Sequence, residues 1–319
     1  MRAVEVTRFG GPEVLAAVDA ADPVPGPGQV VVRMSAVDVI FLDAQLRSGW
    51  GREFFGLKPP YVPGDGVAGE VVSAGADVDE SWLGRTVVAS AGRGTYAELV
   101  AVDEAALIPV PDGLTAQQAV SLLHDGTTAM WLFEAARIQS GEQVLITTAA
   151  GGAGSLLVQL AFAAGARVVG LARGEAKLGL VRSFGADAVD YTAPDWLDQV
   201  RELTGGVDVV LDGAGGRTGS AVIGVVNDRA RIFAYGAPGG EFAEFDQAEV
   251  RRRELEVTGL LDVQPGEAEK RELAARALSA AVAGRFESTI GRTFPLARAA
   301  EAHAAVEART APGRTLLLG

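Results

Sequence analysis

Cysteine is absent from this 319-residue chain. That excludes disulfides and every zinc site built on thiolates. Histidine is almost absent: His124 and His303 are the only two, too few for the common zinc sites, so no metal is expected. Cations are in deficit, with 28 Lys and Arg against 41 Asp and Glu and a net charge of −13. Nucleic-acid binding rests on Lys and Arg neutralising phosphates, so an acidic surface argues against it, and against anionic membranes. No apolar run approaches the roughly 20 residues of a membrane-spanning helix. The opening Met1-Arg2-Ala3-Val4-Glu5-Val6 has no long apolar core, so no signal peptide is expected, and the absence of cysteine fits an expected cytoplasmic protein.

Glycine and aliphatic residues are plentiful: 41 glycines, and 48% of the chain hydrophobic. That supports two domains with real cores. One stretch organises the rest. Val144 to Thr148 is a short apolar, β-branched run, as a buried parallel strand should be. Ala149, Ala150, Gly151, Gly152, Ala153 and Gly154 follow as a small-residue turn, then an apolar helix from Ser155 to Ala164 closed by Gly165. A glycine turn before a helix offers free N–H groups and a positive dipole end to a phosphate. The pattern departs from the G-x-G-x-x-G fingerprint, because Ala149 stands at the first glycine. A second β-branched strand, Ala166 to Leu171, completes a β-α-β unit. An NAD site would end this strand with a carboxylate for the ribose 2′-hydroxyl. Here Ala172 brings none, while Arg173 and Lys177 bring cations that suit a 2′-phosphate. NADPH is therefore expected over NADH, with Glu175 assigned to capping the next helix.

Residues 1 to about 110 read as β-rich, with strands expected at Ala3 to Thr7, Val30 to Val37, Val67 to Ala74, Thr86 to Ala89 and Tyr96 to Val102. No helical period persists there, so a barrel-like β-domain is expected. From Thr115 the pattern changes. One helix is expected through Leu123 and a second from Thr127 to Ala136. Strands and helices then alternate, with a helix at Gly216 to Val226, a strand at Arg231 to Tyr235 and a sixth strand at Leu255 to Leu260. Six strands with intervening helices predict a doubly wound parallel sheet. A long helix from Glu267 to Ala283, a helix from Leu296 to Glu307 and a strand from Arg314 to Leu318 close the chain. A strand that late is expected to return to the first domain.

Several short motifs then fall into one order. Pro25-Gly26-Pro27-Gly28-Gln29-Val30-Val31-Val32, Asp43 with Arg47-Ser48-Gly49, and Val62-Pro63-Gly64 with Ala68-Gly69-Glu70-Val71-Val72 come first. Gly126-Thr127-Thr128-Ala129, Gly185-Ala186-Asp187 with Tyr191, Gly206 to Asp212, and Gly313-Arg314-Thr315 follow. Together they resemble the medium-chain dehydrogenase/reductase superfamily, in its zinc-free, zeta-crystallin-like quinone oxidoreductase branch. The resemblance implies a chaperonin-10-like β-domain at residues 1–120 and 265–319. It implies a Rossmann domain at 121–264 and an active site in the cleft between them. Zinc dehydrogenases of the superfamily carry a His-Glu pair where this chain has Asp65-Gly66. Quinone reductases usually carry Asn where this chain has Ile40.

The resemblance also implies site residues. Cofactor contacts are expected from Ala150, Gly151, Gly152, Ala153, Gly154, Arg173, Lys177, Tyr191, Tyr235 and Arg314. Catalytic contacts are expected from Asp43, Thr128 and His124. Each has a plainer alternative. Arg173 and Lys177 are otherwise solvated charges, Tyr191 a half-buried strand residue, Thr128 a helix cap and Asp43 a turn residue. His124 is either a satisfied core histidine or a proton donor. Trp50, Phe54, Phe55 and Tyr61 suit a flat conjugated substrate or simply pack, and Arg251-Arg252-Arg253 reads as a helix face or subunit contact. The implied activity is NADPH-dependent reduction of a small conjugated carbonyl, by a homodimer. The other reading is a protein that binds NADPH for sensing or structure, without efficient turnover.

Overall fold

The computed structural model describes residues 1–260 and 265–319. They divide into two units: Met1–His124, Ala274–Val282 and Thr289–Gly319 in unit 1, and Asp125–Leu273 with Ala283–Ser288 in unit 2. The domain edge expected at residue 264 falls within 261–264, outside the described residues.

Unit 1 opens with β1 (Arg2–Val6), antiparallel to β2 (Leu15–Asp19). The valine run then forms β3 (Gln29–Val39), whose Val30, Val31 and Val32 are buried. Two helices follow where none was expected: α1 (Phe41–Ser48) and α2 (Arg52–Phe55). They are too short to show a period, but α1 is well terminated. Asp43 Oδ2 accepts the Ile40 N–H at 3.0 Å, and Gly49 closes the helix at φ 96°, a left-handed conformation that favours glycine. The chain continues through β4 (Gly66–Ala74), β5 (Thr86–Ser90), β6 (Leu99–Asp103) and β7 (Ile108–Pro109). β3 pairs with β4 and β6, β4 with β5, and β5 with β7, all antiparallel.

A single helix, α3 (Ala116–Ala136), replaces the two expected. Gly126 is a buried residue of its interior rather than a turn. A lone helical glycine costs only about 1 kcal/mol and does not break a helix as proline does. The division between the units falls within α3, after His124.

Unit 2 alternates strictly: β8 (Gln143–Ile146), α4 (Gly152–Ala163), β9 (Arg167–Ala172), α5 (Glu175–Ser183), β10 (Asp187–Asp190) and α6 (Trp196–Thr204), then β11 (Val207–Asp212), α7 (Gly216–Ala221), β12 (Val226–Ala234), α8 (Gln247–Arg252) and β13 (Glu256–Gly259). The strands are all parallel, in the order β10-β9-β8-β11-β12-β13. This is the doubly wound sheet expected. Two details differ. The helix expected to Val226 stops at Ala221, because β-branched Val225 and Val226 pack into the sheet core and start β12 early. Gly174, not Glu175, caps α5; Glu175 is its first residue and pairs with Arg182 at 2.6 Å.

After α9 (Glu267–Val282) come β14 (Ile290–Pro295), α10 (Ala299–Ala308) and β15 (Arg314–Leu318). β15 lies antiparallel to β3 and parallel to β14, so the last strand does return to the first sheet, beside an unexpected partner. Each unit has its own aliphatic core, where a fully buried Val or Leu contributes about 1.5–3 kcal/mol.

Candidate functional site

In a doubly wound sheet, ligands bind beyond the carboxyl ends of the strands where the winding reverses. That point here lies between β8 and β11. β8 ends at Ile146 and turns into α4 through Gly151. The three glycines differ in what a side chain would meet. A Cβ at Gly154 would lie 1.9 Å from the Thr148 carbonyl oxygen, so this glycine lets the helix sit against the turn. A Cβ at Gly152 would lie 1.7 Å from Oδ2 of buried Asp125. At Gly151 the nearest atom would be 3.3 Å away, and the backbone is extended at φ −81° and ψ 178°, which any residue adopts. The protein's own packing therefore excludes a side chain most strongly at 154 and 152, and at 151 a Cβ would still press on the Thr148 carbonyl oxygen. The amides of Gly152, Ala153 and Gly154, in the first turn of α4, have no intrahelical acceptor. An anionic group fits this cradle of small residues and amides.

Ala172 ends β9 and Arg173 follows it, Lys177 lies in the first turn of α5, and Tyr191 follows β10. The Tyr191 N–H donates to the Ala172 carbonyl at 3.3 Å, and its ring packs on the unit 2 core. Arg173 is exposed. Asp190, ending β10, accepts the Thr192 hydroxyl at 2.6 Å and the Gly174 N–H at 3.2 Å. The Thr192 hydrogen bonds, with the charge of Arg173 nearby, hold its carboxyl below the usual range. Tyr235 follows β12, its hydroxyl 3.1 Å from that of Thr148. Thr128 lies in the interior of α3, which removes its reading as a helix cap.

Unit 1 holds a cluster of another kind. Asp38, 1% exposed on β3, receives His124 Nδ1 at 2.7 Å. His124 Nε2 meets Asp65 Oδ2, also at 2.7 Å. The other Asp65 oxygen accepts the Ser90 hydroxyl at 2.7 Å and the Gly92 N–H at 2.6 Å. Burial pulls the His124 pKa down, but the charge and hydrogen bond of Asp38, with those of Asp65, lift it well above its usual value. Burial raises Asp65, yet its bonds to His124, Ser90 and Gly92 bring its carboxyl down to about 2. His124 is thus an imidazolium clamped between two carboxylates. Gly66 makes room for it: a Cβ there would lie 2.4 Å from Asp38 Oδ1 and 3.0 Å from the His124 ring.

Asp43 lies close by, its carboxyl pushed up to about 7 by burial and by the Asp38 charge. Beneath it the Tyr96 hydroxyl donates to Asp43 Oδ2 at 3.3 Å and meets His303 Nε2 at 3.0 Å. Burial, with the Arg47 charge, drives His303 down to about 3, so this histidine is neutral and satisfied on one nitrogen. Arg47 is itself buried and pairs with Glu307. Arg314 belongs to β15 and donates from Nη1 to the Val39 carbonyl at 3.2 Å. Trp50, Phe54 and Phe55 form a small exposed aromatic group, Phe54 edge-on to Phe55 at 5.0 Å. Tyr61 bridges to Val6 instead. Arg252 and Arg253 are taken up by Glu249 and Asp228, as on a salt-bridged helix face. Among the described residues, no group of three or more His, Asp or Glu could hold a metal ion.

Sequence pattern does not mark Asp38, Thr147 or Asp212 as site residues, and it marks Asp65 only as a departure from the zinc enzymes. Asp38 carried a signal: a carboxylate inside the apolar run Ala36-Val37-Asp38-Val39-Ile40 needs a buried partner.

Comparison with known proteins agrees with both units. Residues 26–112 match the alcohol dehydrogenase GroES-like domain family, and residues 152–279 the zinc-binding dehydrogenase family. A quinone oxidoreductase of Pseudomonas aeruginosa is 32% identical over 99% of this chain and 98% of its own. A 2-haloacrylate reductase from a Burkholderia species is 31% identical over 99% of this chain and 98% of its own. Among solved structures, Escherichia coli quinone oxidoreductase complexed with NADPH superposes with a TM-score of 0.90 at 26% identity, covering 100% of both chains.

Proposed function

The chain belongs to the medium-chain dehydrogenase/reductase superfamily, in its quinone oxidoreductase branch, and on that premise we propose that it transfers hydride from NADPH to quinones or related α,β-unsaturated carbonyls without zinc. The observation that supports the cofactor half is the turn of small residues at Gly151 to Gly154 opening α4, at the reversal point of the parallel sheet. When bound, NADPH supplies the hydride. Backbone at Gly151 to Gly154 receives the diphosphate. Arg173 and Lys177 meet the 2′-phosphate, with Tyr191 as a platform. Tyr235 and Arg314 are further cofactor contacts in this reading.

A conjugated acceptor needs no Lewis acid, because charge spreads onto its oxygen as hydride arrives. The chain has to exclude water, orient the acceptor and give one or two hydrogen bonds to the developing oxyanion. Reduction of a quinone takes one hydride and one proton. In this reading His124 is the candidate proton donor, and Asp43 and Thr128 are further candidate catalytic residues. The working protein is a cytoplasmic homodimer in this reading. No described helix is long and apolar enough to cross a membrane.

NADPH consumption across a panel of quinones, enones and alkenals, with and without chelator, tests the proposal. Turnover of at least one acceptor, unchanged by chelator, is expected. Tight NADPH binding with no turnover of any acceptor would favour the sensing or structural reading instead. Light scattering after gel filtration checks the dimer.

A further inference from the structure

Three loops leave the carboxyl ends of neighbouring strands in unit 2: 147–151 after β8, 213–215 after β11 and 235–240 after β12. All three are tied to one residue. Asp212 ends β11 and is fully buried. Its Oδ1 accepts the Thr147 hydroxyl at 2.6 Å, the Ala214 N–H at 3.1 Å and the Gly215 N–H at 3.3 Å. Its Oδ2 accepts the Gly215 N–H at 3.2 Å. The Thr147 oxygen in turn accepts the N–H groups of Gly213 at 3.0 Å and Ala214 at 3.1 Å. The main-chain carbonyl of Asp212 accepts the Tyr235 N–H at 2.9 Å and the Gly236 N–H at 3.3 Å.

The loops are also pressed together. A Cβ at Gly213 would lie 2.4 Å from Thr148 Oγ1 and 2.6 Å from the Tyr235 hydroxyl oxygen. One at Gly236 would lie 2.3 Å from the Gly213 carbonyl oxygen, and one at Gly219 would lie 2.3 Å from Asp212 Oδ2. Left alone, the run Gly213-Ala214-Gly215-Gly216 would be among the least ordered in the chain. Burying a carboxylate is costly unless it is fully hydrogen-bonded. This one is bonded to the loop it precedes and to Thr147, which opens the loop after β8. The sheet does not need those bonds, because β8, β11 and β12 are already paired through their backbones.

We propose that Asp212 and Thr147 are positioning residues for the cofactor: they hold loop 213–215 against the end of β8, so that this rim is already ordered when the dinucleotide arrives. The proposal rests on the NADPH reading above. Ordering then costs nothing at the moment of binding, which preserves affinity. Freezing one residue's backbone costs about 1–2 kcal/mol, so releasing this loop should weaken NADPH about tenfold for each residue freed.

The test compares Thr147→Val, which keeps the shape and loses the hydroxyl, with Thr147→Ser, which keeps the hydroxyl. Asp212→Asn serves as a third variant if it folds. NADPH affinity is read by quenching of protein fluorescence, loop order by amide hydrogen exchange at 213–216, and stability by thermal melts. Thr147→Val should raise the NADPH Kd about tenfold and speed exchange in the loop, while Thr147→Ser stays close to the parent. A folded Thr147→Val with faster exchange or a lower Tm, but the parent's NADPH Kd, would overturn the proposal and leave the network as a staple of the fold. Should the unmodified protein fail to bind NADPH, the functional reading falls, and this one with it.

Discussion

At the rim of the parallel sheet the chain makes room by leaving side chains off; around His124 it fills the room with charge. The rim is built from glycines, hydroxyls and backbone amides at 147–154 and 213–216, with Asp212 buried behind them. The unit 1 cluster packs Asp38, Asp43, Asp65 and His124 close enough that each carboxylate is felt by another titratable group. The contrast matches two tasks. Holding a diphosphate needs close backbone approach and oriented dipoles, which any side chain would obstruct. Holding a proton or a fixed charge needs groups whose pKa values are pushed apart by burial and neighbours.

The sharpest way to break the contrast is to put a side chain on the rim. Gly151→Val should abolish binding of NADPH and NADH alike, because its branched carbons would stand where the diphosphate is proposed to lie. The φ of −81° is one that any residue adopts, but the new Cβ would sit 3.3 Å from the Thr148 carbonyl oxygen, so folding is checked first. Circular dichroism and a melt should show a folded protein. If that folded variant binds NADPH with unchanged affinity, the dinucleotide does not sit on this turn.

The second test takes a charge away from the other region. Asp38→Asn leaves the His124 cation with one carboxylate. Removing one partner of a buried ion pair costs about 3–5 kcal/mol, and about 3 is expected here, because Asp65 remains and a quarter of the His124 side chain is exposed. The sign with pH follows from a raised pKa. The stability His124 contributes is fully present below its unfolded value of about 6.5, and is lost as pH rises through the folded value. The gap between parent and variant in thermal melts should be widest near pH 6 and narrow toward alkaline pH. A gap independent of pH would mean that His124 is not held as a cation.

Local pattern carried the sheet and little of the charged cluster. Val144 to Ile146 and Arg167 to Ala172 announce themselves as buried strands, and Gly165 marks the end of α4, because these signals lie within a few residues of one another. Clusters are different. His124 is 86 residues from Asp38 and 59 from Asp65, and Thr147 is 65 from Asp212. Nothing local to any of these residues names its partner. The same limit explains α3: Gly126 reads as a break until the packing that holds the helix through it is known. The sequence pattern starts β12 late because Val225 and Val226 sit beside a helical pattern, and only burial in the sheet decides between the two.

The third test returns to the rim and asks whether charge matters there at all. Arg173→Ala should weaken NADPH roughly tenfold to a hundredfold, the worth of a charge-assisted hydrogen bond at about 1.5–3 kcal/mol. NADH, which has no 2′-phosphate, should be nearly unaffected. Equal loss for both cofactors in a binding titration would remove Arg173 from the 2′-phosphate site.

The last test is at Asp43. Burial and the Asp38 charge raise its folded pKa to about 7, against an ordinary value of 3.8. A carboxyl with a raised pKa binds its proton more tightly folded than unfolded. Stability therefore falls as pH rises between about 4 and about 7, and the cost is complete above that window. A shift of roughly three units is worth about 4 kcal/mol. Asp43→Asn removes that titration, and the Ile40 N–H bond is already contained in the raised pKa. The variant should therefore gain on the parent by about 2–3 kcal/mol between pH 5 and pH 8. Thermal melts across that range decide it. A variant equally destabilised at both pH values would show that Asp43 is held ionised, with its bond to Ile40 outweighing the neighbouring charge of Asp38.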